Sequence, residues 1–203
     1  RHVGPANDRA AFDRWLASSA DRRDQFAAFE AFLTREGVDD VVPAWQLTRF
    51  DDPVSSLCAG GAFVLPPREL WRRVVPVLRL VRKEIVPTVG RVEAVSAYRG
   101  PLANRCAGGA ARSKHLTFAG LDFVAPEQKD NRALFTALCR VHADKGPRSR
   151  MGLGAYFDPS KPARNGRGRF HVDVEGFRSW GFGYTGGTSG CLSVSRTAAS
   201  APR

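Results

Sequence analysis

Residues 112–122 read RSKHLTFAGLD, and this stretch belongs to the most informative feature of the sequence. It places His115 seven residues before Asp122, and a later run, FHVD at residues 170–173, adds His171. Two imidazoles and one carboxylate are the minimum set that holds a catalytic zinc ion and leaves a fourth position open for water. Taken alone, the three could equally be a surface histidine, a strand histidine and a turn aspartate. The pattern indicates metal-assisted hydrolysis as a first hypothesis.

The composition is that of a basic globular chain. Its 203 residues carry a formal charge of +11, with a pI near 10.4. A surplus this large attracts polyanions, so nucleic acid is one candidate partner and an anionic cell envelope is another. The arginines are spread along the chain, and no zinc-finger, RNA-recognition or helix-turn-helix pattern is present. We therefore expect no specific nucleic-acid partner.

Cysteine usage and hydropathy favour an exported protein. Four cysteines without a C-x-x-C pair fit two disulfides in an oxidising compartment, with three possible pairings, although buried free thiols are the alternative. No run reaches the roughly 18 to 20 apolar residues that cross a bilayer. No apolar signal region precedes the rest of the chain, so we expect that an export signal, if there was one, has been removed or lies outside this sequence. We expect the chain to be a periplasmic or extracellular monomer. The cysteines are Cys58, Cys106, Cys139 and Cys191.

Hydrophobic periodicity predicts an α+β fold, in which a small antiparallel sheet is flanked by helices and an N-terminal helical segment is added. We divide the chain into an N-terminal helical segment with a connecting loop (1–66), a main domain (67–181) and a Gly/Ser-rich tail (182–203). The predicted helices span 7–18, 21–35, 67–86 and 131–142, and the predicted strands span 91–98, 118–124, 152–157 and 169–174.

The candidate ligand His171 is followed two residues later by a carboxylate. In a strand, Asp173 points to the same side of the sheet as His171. Asp173 is therefore a candidate either to hydrogen-bond the metal-bound imidazole or to orient a substrate. His142, late in a predicted helix, and His2, near the terminus, are interpreted as structural.

The motifs around the candidate ligands follow one another in an order that resembles a known family. The order is similar to that of the zinc D-Ala-D-Ala carboxypeptidases and endopeptidases of bacterial cell walls, which share a fold with the Hedgehog signalling domain. The likeness covers about residues 66–181 and is strongest to a compact periplasmic branch. The motifs are SAYR at 96–99, Asn104, GGA at 108–110, SKH at 113–115, Asp122, GLGAY at 152–156, FHVD at 170–173 and RSW at 178–180.

The resemblance implies a metal centre and a reaction. It assigns one zinc ion per chain, bound by His115, Asp122 and His171. The implied reaction is hydrolysis of an amide bond in peptidoglycan or its muropeptides by metal-activated water. Residues 67–181 are accordingly expected to form a zinc peptidase-like domain of Hedgehog/DD-peptidase type.

The resemblance also implies roles for residues around the metal. Arg99 would bind a substrate carboxylate or a peptide carbonyl, because its guanidinium is rigid and permanently charged. Ser113 would hold the substrate end or stabilise the oxyanion. Tyr98 and Trp180 would line the site or pack beneath it. The resemblance leaves open whether the enzyme is a carboxypeptidase or an endopeptidase, and whether it cleaves D,D or L,D bonds.

Two departures from the family pattern change what we expect. Phe118 and Gly120 stand where the family usually has Gly and Ala, so the pocket rim is expected to be reshaped. Residues 168–169, Gly and Arg, stand where well-studied members place the general base for the metal-bound water. We consider Asp173 and Asp158 as substitutes. If neither acts, the protein would bind wall peptide with weak or no cleavage.

Overall fold

The computed structural model describes residues 4–50, 61–162, 166 and 168–199. The chain forms two compact units. The first consists of Arg1–Arg79 and Ala94–Leu121, and the second consists of Leu80–Glu93 and Asp122–Arg203. The division of the chain at residues 66 and 181 stays a prediction.

The fold is α+β, as the sequence predicts. A π-helical turn at Val81–Ile85 joins two of the helices, and the backbone stays α-helical through Pro76. None of the helices in the described ranges is both long enough and apolar enough to cross a membrane. The helices are α1 (Arg9–Ala17), α2 (Ala20–Arg35), α3 (Trp71–Leu80), α4 (Val86–Val89), α5 (Pro101–Cys106), α6 (Asn131–Lys145) and α7 (Gly190–Ala199), and the strands are β1 (Glu93–Ser96), β2 (Gly120–Val124), β3 (Gly152–Ala155), β4 (Phe170–Asp173) and β5 (Arg178–Trp180).

The first two helices begin and end at residues that satisfy their free backbone groups. The side chain of Asp8 accepts a hydrogen bond from the first turn of α1, at 2.8 Å. Ser19 caps α2 in the same way, and the helix begins at Ala20, one residue before the predicted start. Helix α2 ends at Arg35 with Glu36 as its C-cap, and Gly37 follows with φ of 63°, a left-handed conformation that glycine adopts without strain.

Aromatic side chains form the core of the first unit. Phe12 of α1 meets Phe26 of α2, with ring centroids 5.0 Å apart. One turn further along α2, Phe29 contacts Trp71 at 5.2 Å and Phe118 at 6.1 Å. The helical stripe of aromatics is therefore core, and it packs directly on the segment that carries His115.

The five strands form one sheet in the order β1-β2-β4-β3-β5. Strand β3 pairs with β4 in antiparallel register, with Gly154 opposite His171. It pairs with β5 in parallel register, with Gly154 opposite Trp180. The sequence does not predict β5, and because of its parallel pairing the sheet is not wholly antiparallel. The middle strand β4 is buried along its whole length, which places His171 in the interior.

The predicted C-terminal tail contains regular structure within the described residues. A short 3-10 helix spans Gly186–Thr188, and α7 follows it. A disulfide between Cys139 and Cys191 joins α6 to α7. Cys106 is also disulfide-bonded, whereas Cys58 lies outside the described residues. The alternative of buried free thiols is therefore wrong for the three described cysteines.

Candidate metal centre

Three side chains from separate parts of the chain come together as a buried group. His115, Asp122 and His171 each offer a ligand atom, and these atoms all lie within 4.8 Å of one another. The three residues are only 2%, 3% and 4% exposed. Burying two imidazoles and a carboxylate is unfavourable unless each has a hydrogen-bond partner, and each of the three has one. Two nitrogens and one oxygen at this spacing match the donor set of a catalytic zinc site.

His115 is held by backbone groups. It lies in a short 3-10 helix, Lys114–Thr117. The backbone N–H of His115 donates to the hydroxyl of Ser113 at 3.4 Å. The His115 carbonyl accepts from the backbone N–H of Arg99 at 3.1 Å. Its ring nitrogen Nδ1 lies 2.7 Å from the Ala97 carbonyl oxygen. Because a carbonyl only accepts, Nδ1 carries the proton and Nε2 presents its lone pair.

The 3-10 helix ends in an unusual conformation. Phe118 adopts φ of 55° and ψ of 25°, in the left-handed region, and its side chain is fully buried. The family pattern has Gly at this position, and glycine adopts that conformation without strain. Here a bulky residue takes it, at a cost of about 1–2 kcal/mol. The contact with Phe29 offsets that cost and ties α2 to the His115 turn.

Asp122 and His171 lie within hydrogen-bonding distance of each other. Asp122 Oδ1 is 2.9 Å from His171 Nδ1. The other ring nitrogen, Nε2, is 3.2 Å from Asp173 Oδ2. Burial alone would lower the pKa of His171, but its hydrogen bonds to the two carboxylates outweigh burial and raise it. Asp173 thus contacts the side of the ring that does not face Asp122.

Asp173 is fully buried and is engaged by several donors at once. Arg178 donates to Oδ1 at 2.9 Å and to Oδ2 at 2.7 Å, in the paired geometry typical of a guanidinium and a carboxylate. The backbone N–H of Glu175 donates to Oδ1 at 2.9 Å. Although burial opposes ionisation, the bonds from His171 and Arg178 hold the pKa of Asp173 far below its usual range.

Two glycines in β3 make room for this arrangement. A Cβ on Gly154 would lie 2.7 Å from the Cβ of His171 and 3.0 Å from the ring of Tyr156. A Cβ on Gly152 would lie 2.6 Å from the carboxylate of Asp173. Real side chains essentially never come this close, so the GLG motif is required by the side chains of the neighbouring strand.

Aromatic side chains cover the His171 ring. Trp180 of β5 lies 5.3 Å from it, centroid to centroid, and donates its indole N–H to the Tyr156 hydroxyl at 3.1 Å. Tyr156 is 7% exposed, and burial, followed by the negative charge of Asp122, raises the pKa of its hydroxyl well above the ordinary value. The guanidinium of Arg178 lies 4.8 Å from the Trp180 ring.

The predicted substrate residues lie on the segment that precedes His115. Tyr98 and Arg99 follow β1, and both are half-buried. The Nε atom of Arg99 is buried and has no hydrogen-bond partner among the described residues. Ser113 caps the 3-10 helix of His115. The roles of Tyr98, Arg99 and Ser113 stay predictions.

The Asn and Gly-Gly-Ala motifs shape the loop between Arg99 and His115. Asn104 donates through Nδ2 to the Ala110 carbonyl at 3.0 Å. The backbone N–H of Gly109 donates to the Asn104 carbonyl at 2.8 Å. A Cβ on Gly109 would lie only 2.2 Å from Asn104 Oδ1, so this position requires glycine. These motif residues therefore shape the loop between Arg99 and His115.

The candidate bases have other contacts. Asp158 Oδ1 accepts from both the backbone N–H and the hydroxyl of Ser160, at 3.0 and 2.6 Å, and so closes a surface turn. Arg169 lies beside the metal cluster: its Nη1 is 3.5 Å from Asp122 Oδ2. From the sequence, Arg169 was identified only as a residue at a position where well-studied family members have the general base. The one available signal was an arginine two residues before a candidate ligand.

Comparison with known proteins bears on the identity of this site. A family model described as Peptidase M15 matches residues 75–154. The match begins in α3 and ends in β3, so it includes His115 and Asp122 and stops before His171. It confirms the resemblance drawn from the motifs. No curated protein and no solved structure matches the chain.

Proposed function

We propose that the protein is an exported, zinc-dependent peptidase acting on peptidoglycan stem peptides or cross-links, because residues 75–154 match the family model described as Peptidase M15. The observation that carries the proposal is the buried convergence of His115, Asp122 and His171. The formal charge of +11 favours attraction to anionic wall material.

The described residues fit one zinc ion. In each histidine, one ring nitrogen already has a partner on the side away from the cluster: the Ala97 carbonyl for His115 and Asp173 for His171. We assign Nε2 of His115, Nδ1 of His171 and a carboxylate oxygen of Asp122 as the ligand atoms. When bound, zinc would supply a Lewis acid for the scissile carbonyl and lower the pKa of an attacking water.

Arg99 is the residue that we assign to substrate binding. Its backbone is fixed to His115 by a 3.1 Å hydrogen bond, and its buried Nε is unpartnered among the described residues. A buried donor on a permanent cation is costly without an acceptor. A substrate carboxylate or carbonyl would satisfy it, with Ser113 beside His115 holding the same end of the peptide.

Asp173 acts in this proposal as a positioning residue and not as the general base. Both of its oxygens are occupied, one by Arg178 and Glu175 and the other by Arg178 and His171. A carboxylate held in this way is a poor proton acceptor, because accepting a proton breaks those bonds. It suits the orientation of the His171 ring, which in metal sites is set by such a partner.

One observation favours a second candidate function, a zinc-containing protein that binds wall peptide with little or no cleavage. Neither of the two positions before β4 where the family places its base carries an acid or a histidine, because they are Gly168 and Arg169. Without a residue that takes the proton from water, hydrolysis would be slow, while metal and peptide binding would persist.

Metal analysis of the purified protein tests the metal centre. We expect one zinc per chain in the wild type and a loss of zinc in His115→Ala. The matched control is His142→Gln, which replaces another buried histidine that is not part of the cluster. A wild-type protein that takes up no zinc, or a His115→Ala variant that keeps it, would rule out both candidate functions.

Digestion of purified cell-wall sacculi separates the two candidates. Released D-Ala indicates a carboxypeptidase, and new monomeric muropeptides with a free amine indicate an endopeptidase. If zinc-loaded protein binds sacculi but releases neither product, the peptidase proposal fails and the binding function takes its place.

A further inference from the structure

The backbone just before β4 disfavours a side chain at the first of the two base positions. Gly168 has φ of 70°, a conformation that residues other than glycine rarely adopt. A Cβ there would lie 2.6 Å from Leu134 Cδ2 and 2.7 Å from Asn131 Oδ1, both on α6. A Glu or Asp three residues before His171 would therefore adopt a strained backbone and would require the Leu134 and Asn131 side chains to shift.

At the second position, Arg169 contacts a candidate metal ligand. Its Nη1 lies 3.5 Å from Asp122 Oδ2, while Asp122 Oδ1 lies 2.9 Å from His171 Nδ1. The two oxygens of one carboxylate are thus engaged from two different directions. The Asp122 side chain is only 4% exposed, and that of Arg169 is 28% exposed, so solvent screens this ion pair only in part.

The arginine is itself fixed by an aromatic ring. Its guanidinium carbon lies 5.1 Å from the ring centroid of Tyr156, within the range of a cation–π contact. Tyr156 is in turn held by the indole N–H of Trp180 at 3.1 Å. Arg169 is therefore a placed cation and not a freely moving surface side chain.

We infer that Arg169 is a positioning residue for Asp122, so that this chain holds its carboxylate ligand with a cation where other members place a proton acceptor. The inference rests on the proposed metal centre. Rotation of a carboxylate about its last side-chain bond is nearly free, because that torsion has broad minima. The contact from Arg169 to Oδ2 restricts that rotation and leaves Oδ1, which faces His171, to be presented to the ion.

Zinc affinity measured by competition with a coloured chelator tests the inference without requiring catalysis. Loss of a residue that orients a metal ligand typically weakens metal binding tenfold to a hundredfold, and we expect this for Arg169→Ala. Arg169→Lys keeps the charge but loses the planar fork, so its affinity should fall between wild type and Arg169→Ala. The matched control is Arg132→Ala, whose guanidinium likewise lies over an aromatic ring, that of Phe157, at 5.6 Å.

The outcomes distinguish this inference from the proposed function. If the wild type binds zinc and Arg169→Ala binds it equally well or more tightly, the positioning role is wrong, because the arginine then acts at most as an opposing charge. If Arg132→Ala weakens binding as much as Arg169→Ala, the effect is not specific and the inference also fails. If the zinc protein shows the expected series but cleaves no wall peptide, the inference stands and the peptidase proposal fails. Thermal unfolding of each variant verifies that affinities are compared between folded proteins.

Discussion

The two histidines of the candidate metal centre are supported in opposite ways. His115 lies in a 3-10 turn, its ring is fixed by an uncharged backbone carbonyl, and the turn is fastened by the buried Phe118 and Phe29. His171 lies in a strand, and its ring is fixed by carboxylates that are themselves held by Arg178 and Arg169. One ligand depends on apolar packing and the other on a network of charges.

This difference determines what perturbs each ligand. Apolar packing responds to changes in side-chain volume and is nearly indifferent to pH, because no titrating group takes part. A buried charged network tolerates little loss of a partner, because each remaining charge is left without compensation. Substitutions in the apolar packing around His115 and in the charged network around His171 should therefore perturb the protein for different reasons. Four experiments test this difference.

The largest effect is expected on the packed side, at Phe118. Phe118→Ala leaves a cavity and keeps the strained left-handed backbone, so unfolding free energy should fall by about 3–5 kcal/mol. Phe118→Gly leaves the same cavity but adopts the conformation freely, and should be about 1 kcal/mol more stable than Phe118→Ala. Chemical denaturation measures both. If the alanine variant is the more stable of the two, the strain assigned to this position is absent.

On the charged side, removal of Asp173 should have the next largest effect. Asp173→Ala leaves Arg178 without its carboxylate, and we expect a loss of about 3 kcal/mol, the low end for a broken buried pair, because the Arg178 side chain is 39% exposed. The control is Asp13→Ala in the exposed Arg9–Asp13 pair, which should change stability by less than about 1 kcal/mol. Equal losses from the two variants would contradict the assignment of Asp173 to a buried network.

Gly154 tests how closely β3 approaches the His171 strand. Gly154→Ala introduces a Cβ against His171 and Tyr156, and overpacking of this kind costs about 1–3 kcal/mol. Gly186→Ala is the matched control, since its nearest neighbour would be the Ser179 carbonyl at 3.7 Å, an ordinary contact. Thermal unfolding and zinc content together give the result. A Gly154→Ala protein with unchanged stability and zinc binding would show that the strands have room to separate.

The smallest expected effect is a pH dependence of the unfolding free energy, which is carried by His142. Burial lowers the pKa of His142 below its ordinary 6.5, although backbone hydrogen bonds to Arg178 and Met151 oppose this. The unfolded chain therefore takes up this proton first as the pH falls, so the stabilising contribution is complete above pH 6.5 and is lost on acidification below it. Chemical denaturation measured over a range of pH, with a chelator present, should show that the unfolding free energy falls less on acidification in His142→Phe than in the wild type. Identical pH profiles for the two proteins would contradict this assignment.

The sequence predicted the elements whose pattern is local. Helix α2, strand β2 and helix α6 each follow from hydrophobic periodicity, and the structure places them within a few residues of the prediction. The residue types suggested His115, Asp122 and His171 as metal ligands. That these three side chains lie close together was predicted from the order of the surrounding motifs and not from their spacing in the sequence. Strand β5 was missed because it is three residues long and only half-buried, so it shows no alternation.

The supports of the metal centre could not be predicted in the same way. The direction of the Arg169 side chain depends on the left-handed backbone at Gly168. The conformation of a loop glycine cannot be read from the sequence, because glycine adopts positive and negative φ about equally well. The pairing of Asp173 with Arg178 depends on the parallel register of β3 and β5. Such contacts arise from tertiary geometry, and no local pattern of residues encodes them.

The disulfide between Cys139 and Cys191 has a consequence for proteolysis. The two cysteines are 52 residues apart in sequence, and the covalent ring that they close contains β3, β4 and β5. A protease that cuts the backbone once inside this ring produces two fragments that stay linked through sulfur. His171 and its partners then remain attached to α6 after the cut, so a nicked molecule can reassemble this half of the centre without having to find a separated fragment.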